Sequence, residues 1–107
     1  MEQNMLEMNE VKLQITDNEF LRQFETTIEG EMSTIEYAEQ ERKIFLTKLV
    51  MPENQVEKGH HEEFIKAVFD IIKDRNIRLV PTSPHIAKFM RRNRRKYKDL
   101  LPVGIAL

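Results

Sequence analysis

The sequence has no cysteine, no tryptophan and only three glycines among its 107 residues. The absence of cysteine excludes a disulfide framework, a thiolate zinc site, an iron–sulfur cluster and a cysteine nucleophile. The chain also lacks internal repeats, low-complexity tracts and Pro/Gly-rich linkers. A chain of this length suffices for about one domain. We therefore predict a single domain over residues 11–107 and a disordered segment at residues 1–10.

Long apolar runs are missing as well. No stretch approaches the roughly 20 apolar residues that a membrane-spanning helix needs, which excludes a transmembrane protein. Residues 1–10 mix three glutamates with isolated methionines and have no basic lead, so we expect no secretory signal. The expected location is therefore cytoplasmic, without a membrane partner.

The net charge of −1 conceals a strong asymmetry along the chain. Residues 1–63 carry 15 acidic and 6 basic side chains, whereas residues 64–107 carry 3 acidic and 11 basic ones. The basic residues are densest at Arg91, Arg92, Arg94, Arg95, Lys96 and Lys98. They could bind phosphates of a nucleotide-like cofactor or of nucleic acid, or pair with the acidic part of the same chain. A net charge near zero and the lack of interleaved aromatic residues argue against nucleic acid.

Alternation of apolar and polar residues predicts strands in the first half of the chain. Val11, Leu13 and Ile15 predict a short strand, followed by a turn at Asp17 and Asn18. The same pattern predicts, in order, a strand at 24–28, a turn at 29–30, a strand at 32–37, a turn at 39–42 and a strand at 43–51. Pro52 ends the last of these strands. The first half is therefore an antiparallel meander.

After Pro52 the period changes to that of a helix. Apolar residues recur at spacings of three and four from Phe64 to Ile72, which predicts a helix of about four turns ending near residues 74–76. A short strand at 77–80 follows, and Ser83 with Pro84 predicts the N-cap and first residue of a second helix. The predicted order β-β-β-β-α-β-α defines an α+β fold.

Gly59 and the two histidines after it have competing interpretations. Gly59 joins the longest strand to the longest helix, where free N–H groups can bind phosphate, but a lone glycine better fits a turn or cap with positive φ. His60 and His61, adjacent in sequence, point about 100° apart on a helix and lack the i, i+4 spacing of metal-binding helices. We therefore predict no metal site.

Ser83 follows a strand and opens a helix, as a nucleophile elbow does. The glycines of that motif are absent and Pro84 follows directly, so an N-cap is the better interpretation. His85 lies close in sequence, but no acidic partner that could orient it is evident nearby. No catalytic triad is predicted.

Placed in this order, the elements resemble small stand-alone members of the GNAT acetyltransferase superfamily. The resemblance covers roughly residues 24–101. It is carried by IEYAEQERKIFLTKLVMP, EKGHHEEFIKAVFDIIKDRNIRLVPTSPHIAKFM and the closing YKDLL. These segments match the order of strand, loop, helix, strand and helix in such proteins, which implies a GNAT-like fold.

The resemblance also implies that the chain binds acetyl-coenzyme A. The pantetheine arm would lie along the end of the fourth strand, and the pyrophosphate over N–H groups at the start of the long helix. Basic residues of the second helix would lie near the nucleotide. The implied cofactor-binding residues are Leu49, Val50, Met51, Lys58, Gly59, His60, His61, Lys88, Arg91 and Arg92.

Several positions depart from the family pattern. Lys48 stands where the family usually has histidine, and Ser83 where it often has a cysteine proposed to be catalytic. Of three loop glycines only Gly59 is kept, with Glu57 and His61 at the other two positions. Their side chains could obstruct approach of the backbone to a pyrophosphate. A serine hydroxyl without a base is also a poor nucleophile, although direct transfer to an amine needs none.

Two functions remain open from the sequence. One is an acetyl-coenzyme A-dependent N-acetyltransferase acting on a primary amine, with Ser83 and Lys48 as candidate catalytic residues. Candidates for lining the acceptor pocket or moving its proton are Glu36, Tyr37, Lys48, Ser83 and His85. The alternative is a non-catalytic binding module that kept the fold and lost the cofactor. A chain this short could also form a homodimer.

Overall fold

The computed structural model describes residues 13–105, so the predictions for residues 1–10 and for Val11 lie outside it. The strands are β1 (Thr16–Asn18), β2 (Gln23–Ile28), β3 (Glu31–Gln40), β4 (Lys43–Val50) and β5 (Arg78–Pro81). The helices are α1 (Glu53–Glu57), α2 (His60–Arg75), α3 (Pro84–Arg92) and α4 (Arg94–Tyr97), and a 3-10 turn covers Lys98–Leu100. The α+β class and the order of the main elements are confirmed. The short helices α1 and α4 were not predicted.

The five strands described form one sheet in the order β1-β2-β3-β4-β5. The first four are antiparallel neighbours, as the meander predicts, and β5 pairs parallel to β4. The parallel pair follows from the crossover through α1 and α2, which carries the chain back to the start of β4. The helices cover one face of the sheet, and the residues on the other face are exposed or half-buried.

The first strand differs from its prediction. Leu13 and Ile15 precede β1 and pack partly buried against the core, and the turn lies at residues 19–22. Asp17, predicted in the turn, lies in β1, where it accepts hydrogen bonds from the Tyr37 hydroxyl (2.6 Å) and from Arg75 Nη2 (2.7 Å). A residue type typical of turns is thus held in a strand by partners distant in sequence.

A β-bulge interrupts the pairing of β3 with β4. Tyr37 pairs with Leu46 and Glu36 pairs with Lys48, so Thr47 is the extra residue. Before the bulge Ile44 and Leu46 face the core, and after it Leu49 and Met51 pack against the core. The core-facing apolar residues of this segment therefore have even numbers before Thr47 and odd numbers after it.

The core lies between the sheet and the helices. Three aromatic rings join the helices: Phe69 of α2 contacts Phe89 of α3 (5.3 Å between centroids) and Tyr97 of α4 (5.1 Å), both edge to face. The Tyr97 hydroxyl bonds Asp70, and burial followed by this carboxylate raises the pKa of Tyr97 to about 12. Tyr97 therefore stays a neutral hydrogen-bond donor at physiological pH.

Gln55 of α1 is fully buried, although it is polar. Its Nε2 donates a hydrogen bond to the carbonyl oxygen of Ile28 (2.7 Å), which ties α1 to the β2–β3 turn. Gln55→Ala should lower the free energy of unfolding by about 2–3 kcal/mol, because it leaves a buried carbonyl unpaired and opens a cavity. Chemical denaturation followed by circular dichroism measures this. Gln40→Ala, at an exposed position, is the control, and equal losses in both variants would contradict the role given to Gln55.

Candidate active site

The pairing of β4 with β5 stops early. It covers four residue pairs and ends at Leu46 and Pro81, whereas β4 continues to Val50 beside β3 alone among the strands described. The chain leaves the sheet at once, because the backbone N–H groups of Thr82 and Ser83 both donate to the carbonyl of Leu46 (3.1 and 3.2 Å). Beyond this point the edge of β4 that faces away from β3 has no strand partner among the residues described.

A small cavity of about 130 Å³ lies between the start of α2 and α3. It is lined by His61, Glu62, His85, Lys88, Phe89 and Arg92. His61 and His85 meet edge to face with ring centroids 5.5 Å apart, although 24 residues separate them in sequence. The cavity therefore brings together three of the implied cofactor-binding residues, His61, Lys88 and Arg92, and one acceptor candidate, His85.

His61 lines this cavity and has a shifted pKa. Burial lowers the pKa of His61 below its ordinary value of 6.5; His85 and Lys88 lower it further, and Glu62 opposes the shift. Its Nδ1 is buried without a hydrogen-bond partner among the residues described. A neutral imidazole is therefore favoured at pH 7.

Acid should destabilise the unliganded protein through His61. A histidine whose pKa is lowered by folding binds its proton more readily in the unfolded chain. Its contribution to the free energy of unfolding is therefore fully present above about pH 6.5 and is lost as the pH falls. We expect the thermal midpoint to drop between pH 7.5 and 5.5, and to drop less in His61→Gln. His60→Gln should retain the wild-type loss. A His61→Gln variant with the wild-type pH dependence would contradict this assignment.

Other charged residues near the start of α2 are engaged in ion pairs. Arg92 Nη1 lies 3.3 Å from Glu62 Oε2, which neutralises an acid at the cavity. Lys58 Nζ lies 3.2 Å from Glu29 Oε1, and His60 lies between Glu29 (3.5 Å) and Glu63 (3.2 Å). Lys58 and His60 are thus directed towards the β2–β3 turn, and the cavity's cationic side chains are Lys88 and Arg92.

Gly59 has the backbone conformation expected of it. Its φ is 86°, in the left-handed region that favours glycine, and it forms the N-cap of α2. A Cβ built at Gly59 would meet nothing within 4 Å, so the requirement for glycine here is conformational and not one of space. The turn or cap predicted from the sequence is confirmed at this position.

The two candidate catalytic residues lie on different sides of the sheet. Ser83 is buried at the N-cap of α3, which confirms the predicted N-cap position, although its hydroxyl makes no capping hydrogen bond. Lys48 is exposed and pairs across the strands with Glu36. Because Leu49 packs against the core, Lys48 and Glu36 point to the face of the sheet without helices. The structure does not bring Ser83 and Lys48 together.

The remaining predicted residues are placed as follows. Tyr37 is buried, and burial followed by its bond to Asp17 raises the pKa of its hydroxyl, so it is not a base at neutral pH. Arg91 is exposed and does not line the cavity. Leu49 and Met51 are half-buried, and Val50 is exposed at the free end of β4. Residues 13–105 contain no group of three His, Asp or Glu side chains that could hold a metal ion.

Sequence reasoning missed two features of this site. One is the approach of His85 to His61, which no local pattern signals because the residues belong to different helices. The other is the bulge at Thr47. In KIFLTKLVM the alternation of apolar and polar residues shifts by one position at this residue, which could have revealed the bulge. Both depend on long-range packing.

The comparison with known families agrees with this geometry. Residues 23–100 match the family model described as GCN5-related N-acetyl-transferase. Because the match covers well over half of the chain, the protein belongs to this family and has an acetyltransferase-type domain. The resemblance found in the sequence is thereby confirmed. A search of curated proteins finds no match. None of the helices described is both long and apolar enough to cross a membrane.

Proposed function

We propose that the protein is an acetyl-coenzyme A-dependent N-acetyltransferase that acts on a primary amine. The observation that carries this proposal is the early end of the β4–β5 pairing at Leu46 and Pro81. A strand edge without a strand partner exposes peptide N–H and C=O groups that a ligand can satisfy. The pantetheine arm of the cofactor carries two amides, which suit such an edge.

The residues present fit the cofactor at two places. Leu49, Val50 and Met51 would hold the pantetheine arm along the free edge of β4. At the start of α2, His61 and Lys88 line one cavity, and the ammonium of Lys88 suits phosphate oxygens. The positive end of the α2 macrodipole adds to this attraction. Arg92 contributes by offsetting Glu62, which would otherwise repel phosphates.

Acetyl-coenzyme A, when bound, supplies the acetyl group as an activated thioester. The protein's own task is to position an amine and remove its proton. The carboxylate of Glu36, on the face of the sheet without helices and beside the bulge, would accept that proton, and Lys48 pairs with it across the strands. The Ser83 hydroxyl, buried next to the end of the β4–β5 pairing, would donate a hydrogen bond to the cofactor or the acceptor.

Isothermal titration with acetyl-coenzyme A, and in parallel with coenzyme A, tests the proposal. We expect micromolar binding of both ligands, followed by acetylation of at least one member of a panel of primary amines detected by mass spectrometry. Binding without turnover on any amine would refute the acetyltransferase assignment but retain the cofactor site.

A binding module without cofactor is the second candidate function. It is favoured by Glu57 and His61 at the two loop positions where the family has glycine, and by the engagement of Lys58 with Glu29. No heat and no thermal shift at millimolar acetyl-coenzyme A would support this alternative, and the search should then turn to protein partners.

A further inference from the structure

The solvent side of α3 and α4 carries a basic face formed by Arg91, Arg94, Arg95 and Lys98. They are spread over α3, α4 and the 3-10 turn and all four are exposed, and Asn93 between the two helices departs from helical geometry (φ −119°, ψ 32°). Helical hydrogen bonds continue across Asn93, whose N–H donates to Phe89 (3.0 Å) and whose carbonyl accepts from Tyr97 (3.2 Å). The four cations therefore lie within eight consecutive residues on the solvent side of these elements, without forming one regular helical face.

The acidic side chains of residues 13–105 do not form ion pairs with this face. Of the six basic residues of the segment, Arg92 alone forms an ion pair within the described part of the chain, with Glu62. Lys96 lies over the ring of Tyr97 (5.4 Å). The basic face thus retains four cations without an acidic partner among residues 13–105.

The composition of the face indicates its partner. It contains no aromatic side chain, and the nearby Tyr97 is buried, so it cannot stack on unpaired bases. It contains no apolar side chain that could insert into a membrane or form a protein hot spot. Three of its four residues are arginines, which bind phosphate in bidentate geometry. A major groove about 12 Å wide admits a helix with phosphates on both sides.

We infer that the basic face binds the phosphate backbone of duplex nucleic acid without sequence preference. This inference does not depend on the proposed acetyltransferase activity. The net charge of −1 does not oppose it, because residues 91–98 carry six basic side chains and no acidic one. The lack of interleaved aromatic residues is relevant to single strands and not to a duplex.

Fluorescence anisotropy with a labelled 20-base-pair DNA duplex tests the inference. At 50 mM salt we expect micromolar binding that weakens with a log–log salt slope of about −3 to −4, as for about four phosphate contacts. This slope corresponds to a loss of about 100-fold between 50 and 200 mM salt. The variant Arg94→Gln/Arg95→Gln/Lys98→Gln should bind at least tenfold more weakly, with a slope near −1.

A second triple variant tests whether duplex binding depends on the basic face or only on the total charge of the protein. Arg22→Gln/Arg42→Gln/Lys73→Gln removes the same number of charges at exposed positions elsewhere, and it should bind the duplex within twofold of wild type. Equal losses in the two variants, or no binding at 50 mM salt, would overturn the inference. Polyglutamate or anionic vesicles that bind as tightly as the duplex would also overturn it, by showing a general polyanion surface.

Discussion

Replacing Phe69 by alanine is expected to lower the free energy of unfolding by about 3–5 kcal/mol. Phe69 is fully buried, and its ring contacts both Phe89 and Tyr97 edge to face, so its removal leaves a cavity where three helices meet. A loss of this size is a large part of the roughly 5–15 kcal/mol that stabilises an ordinary domain. Guanidinium denaturation followed by circular dichroism measures the loss.

Phe20→Ala is the matched control, because it makes the same chemical change at a ring that is 93% exposed in the β1–β2 turn. It should alter the free energy of unfolding by no more than about 0.5 kcal/mol. A loss in Phe69→Ala as small as that in Phe20→Ala would mean that the aromatic cluster does not hold the helices together.

The second large effect is expected for acetyl-coenzyme A binding in Lys88→Glu. Lys88 lines the cavity with His61, and a charge-assisted hydrogen bond to phosphate contributes about 1.5–3 kcal/mol. Reversing the charge both removes that bond and repels the ligand, so the dissociation constant measured by calorimetry should rise at least tenfold. The free energy of unfolding should change little, since Lys88 is exposed.

Lys73→Glu provides the control for net charge. Lys73 is exposed in the last turn of α2, at the opposite end of the helix from the cavity, and its reversal changes the total charge by the same amount. It should shift the dissociation constant by less than about twofold. A similar loss of affinity in both variants would locate the phosphates away from the cavity.

Much of the fold was predictable because local pattern and global packing agree. The spacing from Phe64 to Ile72 indicated α2 directly, and these residues form its buried side. The prediction failed at Asp17 because Arg75, 58 positions later, holds it in a strand. It failed at α1 because a helix of five residues has too few turns to show a period. A local sequence pattern therefore predicts neither contacts between distant residues nor helices too short to show a period.

The candidate site was less predictable than the fold. The family resemblance pointed to the segment around Gly59, and the structure confirms its conformation. The same resemblance grouped Lys58 and His60 with the cofactor, but both lie against Glu29 across the chain. Side-chain direction at these positions depends on the β2–β3 turn, which precedes them by some 30 residues. The family resemblance thus predicted the backbone at Gly59 but not the contacts of the neighbouring side chains.

The bulge at Thr47 makes chain length as important as residue identity in β4. Deleting this one residue would let the ladder between Glu36 and Lys48 close in uniform register. The side chains beyond it would keep their sides, with Lys48 opposite Glu36 on the face without helices and Leu49 opposite Ile35 towards the core. Deletion of Phe45 would by contrast turn Leu46 out of the core, so the bulge is the place where β4 can lose a residue without exposing its apolar side chains.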